Sequence, residues 1–482
     1  MSLPKGWTLA TLGDLALYIN GRGFKKSEWK TEGLPIIRIQ NLNKEDADFN
    51  YADDSFEEKY RVKNGDLLVA WSASLGAYIW NRGNAWLNQH IFRVEPYKVI
   101  DNGFLYYAIS ESINELYQKS HGMGMVHVTK GVFEAHEVSL PPLNEQKRIA
   151  KKLDELLTTV ESIKTRLDNA PTIIKRFRQS ILAAATSGKL TEEWRKENSC
   201  QSSKELLENI ISSRVEKYNL SVKEAKENGE RKPQKQDGLE YPHITDDVDS
   251  PKEWEKAYLE NVCEKIIDGT HKTPTYLDEG IQFLSAKNIN NNKLDFTQTK
   301  YISLEEHKEL SKRCKPIVGS LLLTKSGTIG RTAIVKTDKD FSLFESVAVI
   351  TPSSEKIKSE YLQYVILNSM SNGILSKQVK GVAVQHLHLQ DIRKIVFPLP
   401  LESEQKEIVS QVESLFSLAD TLEEKIEAAK KRVDKLTQSI LAKAFKGELV
   451  PQDPNDEPAE KLLERIKAEQ EKEKPKKTRK KK

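Results

Sequence analysis

Cysteine is scarce in this chain, and no cysteine lies in a metal-binding pattern. Cys200, Cys263 and Cys314 are the three cysteines among 482 residues, and each is isolated from the others. Structural zinc sites and disulfide scaffolds use paired spacings such as Cys-x-x-Cys, which the sequence lacks. We therefore expect reduced thiols and no metal site.

The motifs of common nucleotide-dependent and hydrolytic enzymes are also missing. The segment Gly327 to Gly330 is too short for a phosphate-binding loop and lacks its lysine. No Gly-x-Ser-x-Gly elbow and no His-Glu-x-x-His helix occurs. The single Pro-Pro pair, Pro141-Pro142, does not belong to the Asn-Pro-Pro-Tyr/Phe clamp that holds a flipped base for amino methylation. The sequence therefore predicts no catalytic residue and no cofactor.

Long apolar runs and a large net charge are absent as well. No apolar run reaches membrane-spanning length, and the amino-terminal residues lack a signal-peptide core. With 38% hydrophobic and 30% charged residues, the composition is typical of a folded cytoplasmic protein without membrane association. The net charge of +4 implies no partner by itself, so a nucleic acid would have to contact local basic patches.

A long internal repeat dominates what the sequence does contain. The segment from Glu145 to Leu190 aligns without a gap with Glu404 to Leu449, at an offset of 259 residues. In both copies apolar or small residues alternate in steps of four and three, which is typical of a coiled-coil seam. The seam positions are Ile149, Leu153, Leu156, Val160, Ile163, Leu167, Ala170, Ile174, Phe177 and Ile181, and then Ile408, Val412, Leu415, Ala419, Leu422, Ile426, Ala429, Val433, Leu436 and Ile440. The repeat predicts two helices of about 40 residues that pack on one another.

Both predicted helices have matching start and stop signals. Asn144 and Ser403 are the predicted N-caps, and Gly188 and Gly447 are the predicted ends. Pro171 lies inside the first helix and should kink it, because it removes one helical hydrogen bond. The alternative is two ordinary amphipathic helices in separate domains, but the shared offset and phase argue against it.

A globular segment precedes each helix, and the two segments share a skeleton of apolar and glycine positions. Trp7 aligns with Trp254, and Asn41 aligns with Asn288. Short β-branched runs and amphipathic helices occur in both, so each segment is predicted to be mixed α/β within an α+β chain. The predicted organisation is a domain at 1–142, a helix at 143–190, an accessory helix and flexible linker at 191–250, a domain at 251–400, a helix at 401–449, and an accessory helix with a basic disordered tail at 450–482.

Polar loop residues at matching positions of the two domains have the chemistry of DNA contacts. Arg and Lys suit guanine edges, Asn and Gln suit adenine edges, and Ser, Thr and Lys suit phosphates. The candidates in the first domain are Arg38, Gln40, Asn41, Asn43, Ser72, Ser74, Asn88, Gln89, His90 and His127. Those in the second domain are Ser285, Lys287, Asn288, Lys325, Ser326, Thr328, Arg331, Lys380, Gln385 and His386. Such residues are common on any surface, so the matching sets favour DNA binding more than any single residue does.

Three segments together resemble the specificity subunit of type I restriction-modification systems. They are Leu140-Pro-Pro-Leu-Asn-Glu-Gln-Lys-Arg-Ile, Gln179-Ser-Ile-Leu-Ala-Ala-Ala-Thr-Ser-Gly-Lys-Leu-Thr-Glu-Glu-Trp-Arg and Gln438-Ser-Ile-Leu-Ala-Lys-Ala-Phe-Lys-Gly-Glu-Leu-Val-Pro-Gln-Asp-Pro. The resemblance covers essentially the whole chain. It is specific at the two helices and weak within the globular domains.

The resemblance implies a non-catalytic subunit with two target-recognition domains, each reading half of an asymmetric, bipartite DNA target. The two helices would lie antiparallel and act as a spacer. The chain as a whole would have an internal pseudo-twofold repeat. The implied partners are double-stranded DNA, two adenine-N6 methyltransferase subunits and two ATP-dependent restriction subunits. One alternative is a single-chain restriction or methyltransferase fusion, which would need the missing catalytic motifs. The other is a coiled-coil interaction protein without sequence-specific DNA binding.

Overall fold

The computed structural model describes most of the chain, which divides into two compact units. One unit comprises residues 1–168 with 427–482, and the other comprises residues 169–426. Each unit therefore contains one globular domain and a part of both long helices. His127, Lys380, Gln385 and the basic tail lie outside the described residues. The described residues are 3–72, 74–119, 129–198, 201–235, 237–245, 248–375, 377 and 386–473.

The first globular domain is mixed α/β. Its strands are β1 (Thr8–Thr11), β2 (Ala16–Asn20), β3 (Leu34–Ile37), β4 (Asn50–Ala52), β5 (Arg61–Val62), β6 (Leu67–Ala70), β7 (Gly76–Ile79), β8 (Ala85–Leu87), β9 (Ile91–Pro96) and β10 (Glu137–Leu140). Its helices are α1 (Leu12–Leu15), α2 (Ile39–Asn43), α3 (Asn102–Lys119) and α4 (Lys130–Glu134), with 3-10 turns at Lys26–Glu28 and Glu58–Tyr60.

Two four-stranded sheets form the frame of this domain. One is antiparallel with the order β2-β9-β6-β7, and the other has the order β4-β3-β8-β5 with β3 and β8 parallel. A separate ribbon joins β1 to β10. The strands β2, β6, β3 and β8 all end at the same edge, where β7 and β9 begin. The loops between these strands are therefore gathered at that edge.

The first long helix and the accessory helices follow. They are α5 (Leu143–Thr186), α6 (Glu192–Asn198) and α7 (Lys204–Glu227). The 44-residue helix α5 continues through Pro171. At 24 residues, α7 is longer than the predicted short accessory helix. The predicted linker after it is anchored to the second domain, because Asn261 Nδ2 donates to the carbonyls of Gly238 and Glu240 at 3.2 and 3.1 Å.

The second globular domain repeats the skeleton of the first. Its strands are β11 (Glu255–Tyr258), β12 (Cys263–Asp268), β13 (Ile281–Leu284), β14 (Ile289–Asn290), β15 (Lys293–Leu294), β16 (Lys300–Ile302), β17 (Leu321–Thr324), β18 (Thr332–Ile334), β19 (Phe341–Leu343), β20 (Val347–Pro352) and β21 (Val396–Leu399). Its helices are α8 (Leu259–Val262), α9 (Leu304–Arg313), α10 (Ser359–Ser371) and α11 (Leu389–Arg393). The sheet β12-β20-β17-β18 matches β2-β9-β6-β7, and the parallel pair of β13 and β19 matches that of β3 and β8.

The second long helix is α12 (Glu402–Phe445), also of 44 residues, and α13 (Ala459–Glu473) follows it. At 1.5 Å per residue each long helix measures about 66 Å. The N-cap prediction was wrong, because α5 begins at Leu143 and α12 at Glu402, which places Asn144 and Ser403 inside the first turn. The caps are instead Pro142 and Leu401, because their carbonyls accept the first helical hydrogen bonds.

The predicted helix ends are confirmed at both glycines. Gly188 and Gly447 have φ of 76° and 74°, two residues after the last helical residue. A residue with a side chain is strained in this left-handed conformation, so glycine ends the helix there at little cost.

The two long helices pack antiparallel within each unit. In the first unit Lys430 lies 3.2 Å from Asp168, and Lys164 lies 3.7 Å from Asp434. In the second unit Arg178 forms a hydrogen bond with Asp420. The seam is buried where a globular domain packs against it, at Ile149 and Leu153 and at Ile408 and Val412. Farther along, Ile163, Phe177, Leu422 and Leu436 are partly exposed, because a pair of helices covers only one side of each seam residue.

Candidate nucleic-acid interface

The first domain brings its described DNA-contact candidates to one edge of its two sheets. The loops there follow β3, join β6 to β7, and join β8 to β9. They carry Arg38, Gln40, Asn41, Asn43, Ser72, Ser74, Asn88, Gln89 and His90. Residues from three separate stretches of sequence therefore form one surface.

Hydrogen bonds connect these loops through a tyrosine that sequence reasoning missed. Tyr78 donates its hydroxyl to Asn43 Oδ1 at 2.6 Å, and Asn43 Nδ2 donates to Ser74 Oγ at 3.1 Å. In the next loop, Gln89 Nε2 lies 3.1 Å from His90 Nε2. These polar groups reach the surface, and together they present both donors and acceptors to a ligand.

Arg38 is a cation at this edge whose charge is uncompensated. It directly follows β3, and its guanidinium carbon lies 6.0 Å from the ring centre of Trp29. Within the described part of the chain, the guanidinium group forms no hydrogen bond or ion pair. A guanidinium group placed in this way suits guanine O6 and N7, or a phosphate.

Asn41 and its counterpart Asn288 are buried, in contrast to their neighbours. Their exposed fractions are 0% and 5%. The Oδ1 atom of each accepts the backbone N–H three residues earlier at 3.0 Å, and each Nδ2 donates to two carbonyls farther along the loop at 3.0 to 3.1 Å. Because their amide groups are occupied within the fold, these two side chains determine the shape of the loop.

The second domain has an equivalent edge with a different set of side chains. Its described candidates are Ser285, Lys287, Asn288, Lys325, Ser326, Thr328, Arg331 and His386. An isolated antiparallel bridge joins Ser326 to His386, which brings a distant stretch of sequence to this edge. Arg331 forms a hydrogen bond with Asn290, whereas Lys287 is exposed. The two domains therefore share the frame and differ in the groups that it displays.

Lys325 is held by an acidic residue of the same domain. Its Nζ lies 3.1 Å from Asp268 Oδ2, and the two side chains are 11% and 4% exposed. Arg313 donates to Asp268 Oδ1 at 2.6 Å. Burial opposes ionisation of Asp268, but hydrogen bonds from Lys325 and Arg313 outweigh it and lower the pKa of the carboxyl group. Arg313 ends helix α9, which has no counterpart among the described helices of the first domain, so comparison of the repeats could not indicate it.

The globular domains are fastened to the long helices by a repeated glutamine. Gln146 Nε2 donates to the carbonyl of Pro141, and its Oε1 accepts the N–H of Asp101, both at 2.9 Å. Gln405 makes the equivalent pair of bonds in the second domain, at 2.9 and 2.8 Å. This glutamine, present in both copies of the repeat, therefore joins each helix to the domain before it.

Among the described residues, no group of three or more His, Cys, Asp or Glu side chains is arranged to hold a metal ion. No helix in the same part of the chain combines the length and the apolar character that crossing a bilayer requires.

Comparison with known proteins identifies the family of this architecture. The family model described as the type I restriction modification DNA specificity domain matches residues 4–171 and 251–431. The EcoBI specificity subunit of Escherichia coli is 31% identical over 97% of this chain and 93% of its own length. The EcoKI specificity subunit of Escherichia coli strain K12 is 28% identical over 97% of this chain and 96% of its own.

Solved structures share the fold at lower sequence identity. The HsdS subunit from Thermoanaerobacter tengcongensis superposes with a TM-score of 0.58 at 17% identity, covering 93% of this chain and 99% of that one. A chain from a structure of complex assembly and conformational transition of the type I R-M system superposes with a TM-score of 0.61 at 18% identity. That match covers 93% of this chain and 100% of the other. With two matched regions, a relative above 30% identity and the duplicated architecture, the chain belongs to the family of type I restriction-modification specificity subunits.

Proposed function

We propose that this chain is the non-catalytic subunit that determines the DNA sequence recognised by a type I restriction-modification complex. Each globular domain would read one half of an asymmetric, bipartite target. The observation that supports this most is the pair of equivalent loop edges, which share one frame of strands and display different polar side chains. A shared frame with exchangeable contacts is what two readers of different half-sites need.

Residues at each edge would have distinct tasks in this function. Arg38 and Lys287 are suited to base edges or phosphates, and Gln89 and His90 offer further hydrogen-bonding groups. Each good bidentate contact discriminates against a wrong base by about 1–3 kcal/mol. Asn41 and Asn288 would act indirectly, by holding the loops in the shape that presents these neighbours.

The catalytic chemistry would belong to partner subunits. We infer that two methyltransferase subunits, which methylate adenine N6, and two ATP-dependent restriction subunits assemble with this chain, in the cytoplasm where the DNA is. The family to which the chain belongs supports these partners. The outward faces of the two long helices are the surfaces we assign to docking. Their exposed charges include Lys151, Arg166, Lys425 and Lys431.

The decisive experiment is a map of N6-methyladenine in DNA from cells that contain this chain and its methyltransferase partner. We expect one methylated motif with two specified halves and an unread gap. Methylation without such a motif would contradict the proposal. A gel shift of the complex, competed with unrelated DNA, addresses the alternative of a coiled-coil interaction protein, because that protein would show no preference for the methylated motif.

A further inference from the structure

A glycine at the end of one strand occupies the same position in both domains. Gly21 follows β2, and its N–H donates to the carbonyl of Ile91 at 3.1 Å. Gly269 follows β12, and its N–H donates to the carbonyl of Val347 at 3.3 Å. A Cβ atom would lie 2.0 Å from the carbonyl oxygen of Asn88 at Gly21, and 2.1 Å from that of Leu343 at Gly269. Such distances exclude any other residue, so the close approach requires glycine in both domains.

This approach places the loop after each glycine against the candidate DNA-contact loops. Arg22 forms a parallel bridge with Asn88, and a Cβ at Gly23 would lie 2.6 Å from Gln89 Oε1. In the second domain Thr270 forms the equivalent bridge with Phe344. Residues 22–28 and 270–273 therefore belong to the same edge as the predicted DNA contacts, although the sequence comparison did not single them out.

The first of these loops is the main basic segment of an acidic domain. Residues 1–142 contain 15 Lys and Arg against 17 Asp and Glu, whereas residues 251–400 contain 21 against 17. The net charges are therefore −2 and +4. Four of the 15 cations of the first domain fall within residues 22–30, with one acidic residue among them. A domain of net negative charge needs such a local patch to approach DNA.

Two of these four cations take part in ion pairs with described residues and two do not. Arg22 lies 2.6 Å from Glu28, and Lys30 lies 3.7 Å from Asp53. Lys25 and Lys26 are exposed and form no ion pair with a described residue. Their backbone is nevertheless ordered, because Glu28 accepts the N–H of Lys25 at 2.7 Å as well as the guanidinium of Arg22.

The loop of the second domain presents a single comparable lysine. Lys272 is exposed and forms no ion pair within the described residues. Its N–H donates to Thr270 Oγ1 at 3.1 Å, which holds the turn. The neighbouring His271 is engaged on both ring nitrogens, by Asp268 at 3.2 Å and Glu345 at 2.7 Å. This leaves Lys272 as the outward cation of the loop.

We propose that the loop after the buried glycine is a phosphate-binding loop in both domains, with Lys25 and Lys26 in the first and Lys272 in the second contacting the backbone of the target duplex. The proposal rests on the DNA-binding function proposed above. An ammonium group carries charge without fixed hydrogen-bond geometry, so these contacts add affinity and no sequence information. The loop would hold the duplex beside the residues that contact bases.

The test measures DNA affinity of the complex of this chain with its methyltransferase subunits as a function of salt. We expect K25Q/K26Q to weaken binding and to lower the slope of log affinity against log salt by about 1.8, since each lost phosphate contact accounts for about 0.9. K272Q should lower the slope by about 0.9. The methylated motif should stay the same in both variants.

Matched controls lie at the opposite ends of the same sheets. Lys98 follows the far end of β9, and Lys356 follows the far end of β20; both are exposed. K98Q and K356Q should leave the slope unchanged. The proposal is overturned if K25Q/K26Q binds with the wild-type slope, if the controls lose as much, or if the methylated motif changes. If wild-type complex shows no preference for its methylated motif over unrelated DNA, the proposed function fails instead.

Discussion

The indole N–H of Trp254 donates to Glu404 Oε2 at 2.7 Å, although the two residues are 150 positions apart. Trp7 and Glu145 form the equivalent bond at 3.1 Å. The two glutamates are the first residues of the two aligned copies of the internal repeat. Their burial against tryptophan gives a second reason for the repeat, because each glutamate joins its helix to the start of a globular domain.

The two glutamates differ in their other partners, and exchange for glutamine should therefore affect them differently. Glu404 also accepts from Thr191 at 2.7 Å and from Arg195 at 2.6 Å, and its side chain is 1% exposed. E404Q leaves the guanidinium of Arg195, whose side chain is 13% exposed, without its counter-charge. We expect a loss of about 3 kcal/mol in the free energy of unfolding, measured by urea denaturation.

E145Q is the matched variant, and its expected result is the opposite. Burial raises the pKa of Glu145, although the hydrogen bond from Trp7 opposes this. A folded pKa above the unfolded value means that the wild type loses stability as pH rises through the range between the two. Glutamine keeps an acceptor for the indole N–H of Trp7 and does not ionise. The free energy of unfolding of E145Q should therefore equal that of the wild type in acid and exceed it at neutral pH. Destabilisation of E145Q at neutral pH as large as that of E404Q would contradict this account.

Arg214 should be essential for anchoring the segment that precedes the second domain. It is 6% exposed and donates to four backbone carbonyls at 2.8 to 3.0 Å, namely those of Asp237, Gly238, Glu260 and Asn261. R214M should lower the melting temperature and speed tryptic cleavage after Arg231 and Lys235. K217M on the same helix is the control, because its ion pair with Glu264 is exposed and contributes under about 1 kcal/mol. Equal effects of the two variants would argue against the anchor.

Arg38 and Asn41 should separate DNA contact from loop support. R38Q removes an uncompensated guanidinium and should weaken binding to the target by about 1–3 kcal/mol, with an unchanged melting temperature. N41A removes a buried amide and leaves the backbone groups that it pairs with unsatisfied, so it should lower the melting temperature of the first domain. A gel shift and a thermal denaturation curve of each variant distinguish the two. If N41A melted at the wild-type temperature, the structural role assigned to Asn41 would be wrong.

Exchange of residues 251–400 for the corresponding part of another specificity subunit should change one half of the methylated motif. The reason is that each domain has its own cores and its own loop edge. Methylation mapping gives the answer directly. A change in both halves would show that the domains do not act as independent readers.

Removal of one heptad from both long helices should shorten the unread gap or abolish methylation. Residues 161–167 and 431–437 face each other in the register set by the Lys164–Asp434 and Asp168–Lys430 ion pairs. Their joint removal keeps the seam in phase, because a heptad is its repeat. Deletion of 161–167 alone is the control, since it breaks the register and should lower the melting temperature. An unchanged methylated motif in the double deletion would contradict a spacer role for the helices.

Internal comparison of the sequence predicted the duplicated helices, their terminal glycines and the shared skeleton of the domains. Each of these depends on local periodicity or on one residue type at one turn, so the chain itself carries the signal. The N-cap predictions failed because residue type was the only guide, whereas the carbonyl that accepts the first helical hydrogen bond belongs to the residue two positions earlier, Pro142 or Leu401. Nothing in the sequence indicated Asp268 and Tyr78, because the lysine and arginine that pair with Asp268 and the asparagine bonded to Tyr78 lie 35 or more positions away along the chain.

The sequence by itself determined the family, the helix pair and the two-domain organisation, because repeats and seams extend along the chain. The tertiary structure alone decided which polar loop residues face outward. Asn41 is buried and Arg38 is not, although they are three positions apart in one loop. Likewise, only the strand order brings the loop of Lys25 against Asn88. The direction of a loop side chain depends on the strands that pack behind it, and those strands come from remote parts of the sequence.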